Sequence, residues 1–404
     1  MKLLRIVGFF VALTATRLAA EDFLDQVDDA LTLNASQGNI RARLSGLFDL
    51  ELYRLDLPPP GLIDANHRFL VNPRLSLFLD AQIGTHVYFF AQGRADRDFD
   101  PHDSEARARL DEYALRINPW AADCFDLQVG KFATIIGNFV QRHLSWENPF
   151  INAPLPYENL TAISDAAAPA GPREFISGFA FDEDKNNPLI WGPSYATGGS
   201  VAGKIGKFDY AVEAKNSALA SRPRSWDATE IGFEHPTVSG RIGYRPNQAW
   251  NLGLSASDGP YLRPEAEPTL PAGRSLGDYR ELLVGQDISY ALHHLQLWAE
   301  FYEVRVQVPR VGDADTFAYF LEGKYKFTPQ LFGAMRWNQQ LFATIPDGAG
   351  GSVRWGHDLW RVDTSLGYRF TTHTQLKLQY SFQDTTSDSR DLSHTLAAQF
   401  TLRF

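Results

Sequence analysis

The feature that most constrains this chain is a two-residue alternation of apolar and polar side chains, repeated from one segment to the next. From Ile40 the residues Ala42, Leu44, Phe48, Leu50 and Leu52 share one face, and Arg41, Arg43, Ser45, Asp49 and Glu51 share the other. A period of two is the signature of an extended strand with one face in each environment. "RLSLFLDAQIG", "HVYFFAQGRAD", "DTFAYFLEGKYKFTP", "DLWRVDTSLGYRF", "QLKLQYSFQD" and the terminal "HTLAAQFTLRF" read the same way. Helical periodicity is confined to one short stretch, "EDFLDQVDDALTL".

Between the strands, connections alternate in length. Short ones fall near 84–85, 118–123, 206–207, 246–249, 293–294, 328–330 and 371–374. Longer polar ones fall near 98–106, 137–194, 217–229, 258–280, 307–315, 345–356 and 385–391. The count is about sixteen strands. A soluble sandwich would bury the apolar faces, but here the opposite faces carry Arg, Lys, Asp, Glu and Gln along most of their length. Polar faces turned inward and apolar faces turned to lipid make a transmembrane antiparallel β-barrel, all-β, with short periplasmic turns and long extracellular loops. Trp120, Tyr244, Trp250, Phe327, Phe370 and Phe404 stand beside the short turns, where an aromatic girdle meets the membrane interface.

The start, "MKLLRIVGFFVALTATRLAA", has the basic, apolar and small-residue parts of a secretory leader, so 1–20 is read as a signal peptide. Residues 21–37 form an N-terminal segment with the possible short helix, and 38–404 the barrel. The formal charge of −10 argues against a nucleic-acid partner. The single cysteine, Cys124, allows no internal disulfide. No spacing of metal ligands stands out, and no cofactor is expected.

The last nine residues, "LAAQFTLRF", resemble the closing strand of bacterial outer-membrane porins, which ends in Phe after alternating apolar positions. "LQVGKFATIIGNF" before a long loop is similar to phosphate-selective porin-like (O/P-type) proteins. The resemblance implies a bacterial outer-membrane location, contact with outer-membrane lipid and lipopolysaccharide, and reading of Phe404 by the barrel-assembly machinery. It also implies assembly as a homotrimer and passive diffusion of small hydrophilic solutes or ions. In such porins the third long loop folds inward, which assigns that role to about 137–194.

Polar-face parity selects the expected pore lining: Arg41, Arg43, Arg74, Arg94, Arg116, Lys131, Arg241, Arg245, Lys324, Arg336, Arg361 and Arg369, with Asp80, Glu112, Glu300, Glu322 and Asp363. Basic groups outnumber acidic ones, which would favour anions weakly. Arg142, His143, Glu147, Glu158 and Arg173 are the expected constriction groups of the inward loop. An enzyme is not expected. Two other readings stay open: a barrel-embedded enzyme of lipase or protease type using His143 and Ser145, and a plugged barrel serving as anchor or adhesin.

Overall fold

The computed structural model describes residues 23–97, 100–102, 104–120, 124–177, 184–386 and 392–404. The leader read at 1–20 lies outside the described residues. Sixteen strands form one closed antiparallel barrel: β1 (Ile40–Leu55), β2 (Phe69–Ile83), β3 (Val87–Asp96), β4 (Arg107–Ile117), β5 (Asp126–Phe132), β6 (Ala196–Ile205), β7 (Phe208–Lys215) and β8 (Thr237–Tyr244), then β9 (Trp250–Pro260), β10 (Arg280–Leu292), β11 (Leu295–Val308), β12 (Gly312–Lys326), β13 (Leu331–Phe342), β14 (Leu359–Arg369), β15 (Thr374–Thr385) and β16 (Ser393–Arg403).

Each strand pairs with its neighbours in sequence, and β16 pairs with β1 from Thr395 opposite Leu55 to Arg403 opposite Leu47. The seam ends in a reciprocal pair. The Gly46 amide donates to the Phe404 carbonyl at 2.8 Å, and the Phe404 amide donates to Gly46 at 3.1 Å. The Phe404 ring lies against Gly46, which has no side chain to displace it. Closure leaves no strand edge unpaired in the span, as a bilayer requires.

β1 overhangs this seam, and the short strand Thr32–Ala35 covers the overhang by pairing with Ile40–Arg43. Residues 23–30 are helical, as the sequence allows. Two contacts tie this helix to the barrel mouth: an ion pair of Asp28 with Arg43 at 2.8 Å and a hydrogen bond of Asp25 with His373 at 2.8 Å.

The outer surface is apolar for the reason the alternation gave. Leu50, Leu52, Leu254, Leu321, Leu378 and Leu396 all point outward and are exposed. At the end bearing the short turns, outward rings pair across strands, Phe208 with Tyr244 at 4.9 Å and Trp250 with Tyr290 at 4.6 Å, and Tyr368 packs on Phe370 at the end of its own strand at 5.0 Å. Tyr244, Trp250 and Phe370 are among the expected girdle residues; Phe208, Tyr290 and Tyr368 add to them.

One expected long loop is absent. Where the sequence suggested a polar connection over 307–315, β11 and β12 run on and join through 309–311. The polarity is inverted there. Arg305, Asp313 and Asp315 face outward and pair with one another at 2.7 and 3.4 Å, while Val304, Val306 and Ala314 face inward and are buried. Charged residues on the apolar parity made a strand look like a loop.

Candidate functional site

The ladder registers decide which side chains face the lumen. Arg43 stands opposite Asp80, Tyr88 opposite Arg116, Gln92 opposite Glu112, Trp298 opposite Glu322, and Glu322 opposite Arg336, which stands opposite Asp363. A bulge after Gln92 turns both Asp111 and Glu112 inward on β4. Every expected lining residue falls on the inward parity except Lys131.

Lys131 pairs with Tyr113 and Thr197, on the outward parity. Its ammonium is hidden by the connection 216–236, reaching Asp227 at 3.1 Å and the Leu110 carbonyl at 3.2 Å. The inward positions of β5 are Asp126, Gln128, Gly130 and Phe132. A glycine and a phenylalanine on that face gave Lys131 the false look of a lining group.

At mid-height the wall charges neutralise one another. Arg74 is bound to Glu51, and Arg94 lies 2.8 Å from Asp96. Arg241 bridges Asp287 at 2.7 Å and reaches Asp209 at 2.9 Å, and next to the turn Arg245 lies 3.4 Å from the same Asp209. Arg336 lies 2.8 Å from Asp363, and Arg361 lies 3.0 Å from the same carboxylate while also binding Glu158. The turn end differs. Among the described residues Arg116, Arg369 and Arg403 have neutral hydrogen-bond partners only: Gln128, Gln375 with the Trp146 carbonyl, and the Thr372 carbonyl. Arg41, Lys324 and Lys326 also face inward at this end.

The connection 133–195 packs against inward side chains of the wall. Its entry is fixed by Glu300, whose carboxylate accepts from the amides of Asn138 (2.6 Å) and Phe139 (2.7 Å) and from the hydroxyls of Tyr157 (2.6 Å) and Tyr302 (2.9 Å). Gly137, with φ of 71°, makes the turn that presents those amides. Across the lumen the Lys377 ammonium donates to three loop carbonyls, Ser145 at 2.8 Å, Asn148 at 3.0 Å and Phe150 at 2.9 Å. Arg336 and Arg361 donate to the Ala153 carbonyl at 3.0 and 2.6 Å. Beneath the loop, Ile136, Phe139, Tyr157, Ile163 and Leu189 pack on inward Tyr302, Val304, Phe320 and Phe342.

Of the expected constriction groups, four lie in the lumen. Arg142 binds Glu322 at 2.5 Å with its guanidinium 4.4 Å from the Trp298 ring. His143 sits between the Val140 carbonyl (2.5 Å) and the Tyr195 hydroxyl (2.7 Å), and burial pushes its imidazole down to about 4. Burial raises the Glu158 carboxyl despite the opposing Arg361. Glu147 is exposed to the open space. Arg173 is not in the lumen. It is exposed on the short helix Pro172–Ser177, near the hairpin 344–354. Both His143 nitrogens are engaged elsewhere, so no Ser145–His143 pair of the kind nucleophilic catalysis needs is formed. Among the described residues there is no group of three His, Cys, Asp or Glu placed to hold a metal ion.

Open space remains on the β1–β4 side. A vestibule of about 570 Å³ lies at the turn end, between Arg43, Phe78, Tyr88, Phe90 and Arg116 on the wall and Leu144, Trp146 and Glu147 on the loop. Above it along the same wall, a cavity of about 90 Å³ is lined by Tyr53, Arg74, Arg94, His143 and Asn148. Arg74 and Arg94 share the lining of this cavity with Phe139, Asn148 and Asn152 of the loop. Sequence reasoning missed inward Phe78 and Phe90, and it placed Glu300, Arg336 and Arg361 on the wall without their role in anchoring the loop. The first break the polar-face rule, and the second bind backbone amides or carbonyls of the loop, which leave no mark in a sequence.

No family model and no curated protein matches the chain. Solved structures do. A Salmonella typhi OmpF complex with daunomycin aligns at TM-score 0.58 and 11% identity, covering 92% of this chain and 100% of that one. An anion-selective porin from Comamonas acidovorans aligns at 0.55 and 10%, covering 90% and 100%. The outer membrane channel DcaP of Acinetobacter baumannii aligns at 0.55 and 11%, covering 92% and 100%. At such identities the likeness is one of fold. The chain has the porin fold.

Proposed function

We propose that the protein is a bacterial outer-membrane porin through which small hydrophilic solutes and ions diffuse along the β1–β4 wall. One observation carries this reading: a closed sixteen-strand barrel, apolar outside and charged inside, keeps a solvent-filled vestibule beside an inward-folded loop. The turn end would face the periplasm. Contact with lipid and lipopolysaccharide, assembly as a homotrimer and reading of Phe404 by the assembly machinery belong to the same proposal. Anion preference, where present, would come from Arg41, Arg116, Lys324, Arg369 and Arg403 at the turn end, because the mid-height arginines are neutralised. The resemblance to O/P-type proteins makes phosphate one anion to include in the test.

The test is conductance of the folded protein in a planar bilayer under a potassium chloride gradient. Stable current steps support a channel, and a reversal potential favouring chloride supports the turn-end argument. A preference for potassium would keep the channel and overturn that argument. The apolar packing under the loop favours a second reading, a plugged barrel. It predicts silence from the intact protein and current after the loop is deleted.

A further inference from the structure

Phe78, Tyr88 and Phe90 point into the lumen from adjacent strands, where an aqueous barrel ordinarily presents polar side chains. Tyr88 and Phe90 stack at 5.9 Å with an interplanar angle of 29°, and all three rings are half-buried, so each keeps surface open to the vestibule. The loop does not cover them. Its nearest elements, Leu144 and Trp146, stand across the vestibule of about 570 Å³.

Arg116 completes the patch. Its guanidinium carbon lies 5.8 Å from the centres of both the Tyr88 and Phe90 rings. Its Nε and Nη2 share a single neutral acceptor, Gln128 Oε1, at 3.1 and 2.8 Å. A guanidinium carries five N–H donors, so this one keeps the capacity to bind a carboxylate. The neighbouring acids are engaged: Asp80 with the Tyr88 hydroxyl, and Glu112 with the Ala133 amide at 3.0 Å.

We propose that this patch binds small aromatic monocarboxylates, with the ring on Phe90 and Phe78 and the carboxylate on Arg116. Apolar walls with one convergent charged group are the usual make-up of a small-molecule site. A ring gains from stacking and from the guanidinium above it. Asp80 and Glu112 flank Arg116, so one negative charge is accepted and a second on the same ligand is repelled. For its role in transport the inference rests on the channel reading; for binding it does not.

The test measures benzoate binding to the folded protein in detergent by titration calorimetry at low salt, and separately the potassium chloride current in a bilayer with benzoate added from the turn side. Benzoate binds saturably and lowers the current. Acetate, benzyl alcohol and phthalate bind about tenfold more weakly or worse, since the first lacks the ring, the second lacks the carboxylate and the third adds a charge that Asp80 and Glu112 repel. Arg116→Gln and Phe90→Ser each cost benzoate about tenfold, with folding confirmed by heat-dependent gel mobility. Where Phe90→Ser does not fold, Phe78→Ser and Arg116→Lys carry the same test. Equal binding of acetate, unchanged affinity in the variants, or no saturable heat overturns the site. Conductance without benzoate binding sinks the site and leaves the channel. Binding without conductance sinks the channel and leaves the site.

Discussion

Replacing Lys377 by Met should release the inward loop while leaving the barrel intact. The Lys377 ammonium is the shared donor for the carbonyls of Ser145, Asn148 and Phe150, each within 3.0 Å. Methionine keeps most of the volume and removes every donor. Each carbonyl is then left in a buried position without its partner, at a cost of at least about 1 kcal/mol. Relief of the buried ammonium's desolvation offsets part of this, so a net loss of about 3 kcal/mol in loop docking is a working figure. That is roughly two orders of magnitude in the population of the undocked loop. Trypsin reads the population, because Arg142 is buried and is cut only after the loop lifts. When opening is fast relative to cleavage, the rate follows that population. Lys377→Met should therefore raise cleavage at Arg142 by about a hundredfold and raise single-channel conductance. Lys326→Met, at an exposed site on the turn end, should change neither. A rise in cleavage below about threefold in a folded Lys377→Met barrel would show that the carbonyl clamp does not hold the loop, and the reasoning would be wrong.

Three other perturbations probe the same architecture. Gly137→Ala forces a side chain into a left-handed turn, and its Cβ would meet the Tyr302 hydroxyl and stand 2.7 Å from that of Tyr157; protease sensitivity of the loop should rise by the equivalent of about 2 kcal/mol, and an unchanged rate would mean the Glu300 anchor tolerates displacement. The His143 imidazole, ordinarily near 6.5, is held down to about 4, so the docked loop favours its neutral form. Docking is then fully stable above about 6.5 and weakens as pH falls toward 4, by on the order of 3 kcal/mol at the limit. Loop accessibility between pH 7.5 and 4.5 should show this slope, and an equal slope in His143→Gln would assign it to another group. Gly46→Ala puts a methyl into the Phe404 ring and should weaken the closing seam; removing the ring in a Phe404→Gly background should relieve most of the cost, and additive losses in a double-mutant cycle on urea unfolding would refute the contact.

The strands, the inward parity and the inward loop were legible because each rests on a local rule. Alternation gives the strand and its two faces, and a connection as long as 133–195 has to pack somewhere. The errors arose where a local rule met a non-local partner. Lys131 stands on the lipid-side parity by register, and Asp227, far along the chain, pairs with it there. The region around Arg305 and Asp315 was read as a loop because its charges pair with one another above the apolar band. Arg173 was drawn into the lumen by belonging to the right loop, although its short helix packs near the hairpin 344–354 instead.

The same distinction bears on what the wall charges do. From sequence, an inward arginine at mid-height looks like a group that meets a passing ion. In the structure Arg336 and Arg361 are fully buried against Asp363, Glu158 and loop carbonyls, so their charge is spent on holding the loop. Replacing either would first change where the loop sits and only then change selectivity. Arg116 and Arg403 are different, because their partners are neutral oxygens and aromatic rings: Arg403 lies 4.5 Å from Trp146 and Arg116 over Tyr88 and Phe90. Among the described residues neither guanidinium is locked in an ion pair, so each keeps N–H donors for the vestibule, while Asp80 and Glu112 beside Arg116 offset part of its field there. In the proposed channel, charge selectivity would therefore rest on the turn-end arginines, while the mid-height arginines would act first through the position of the loop.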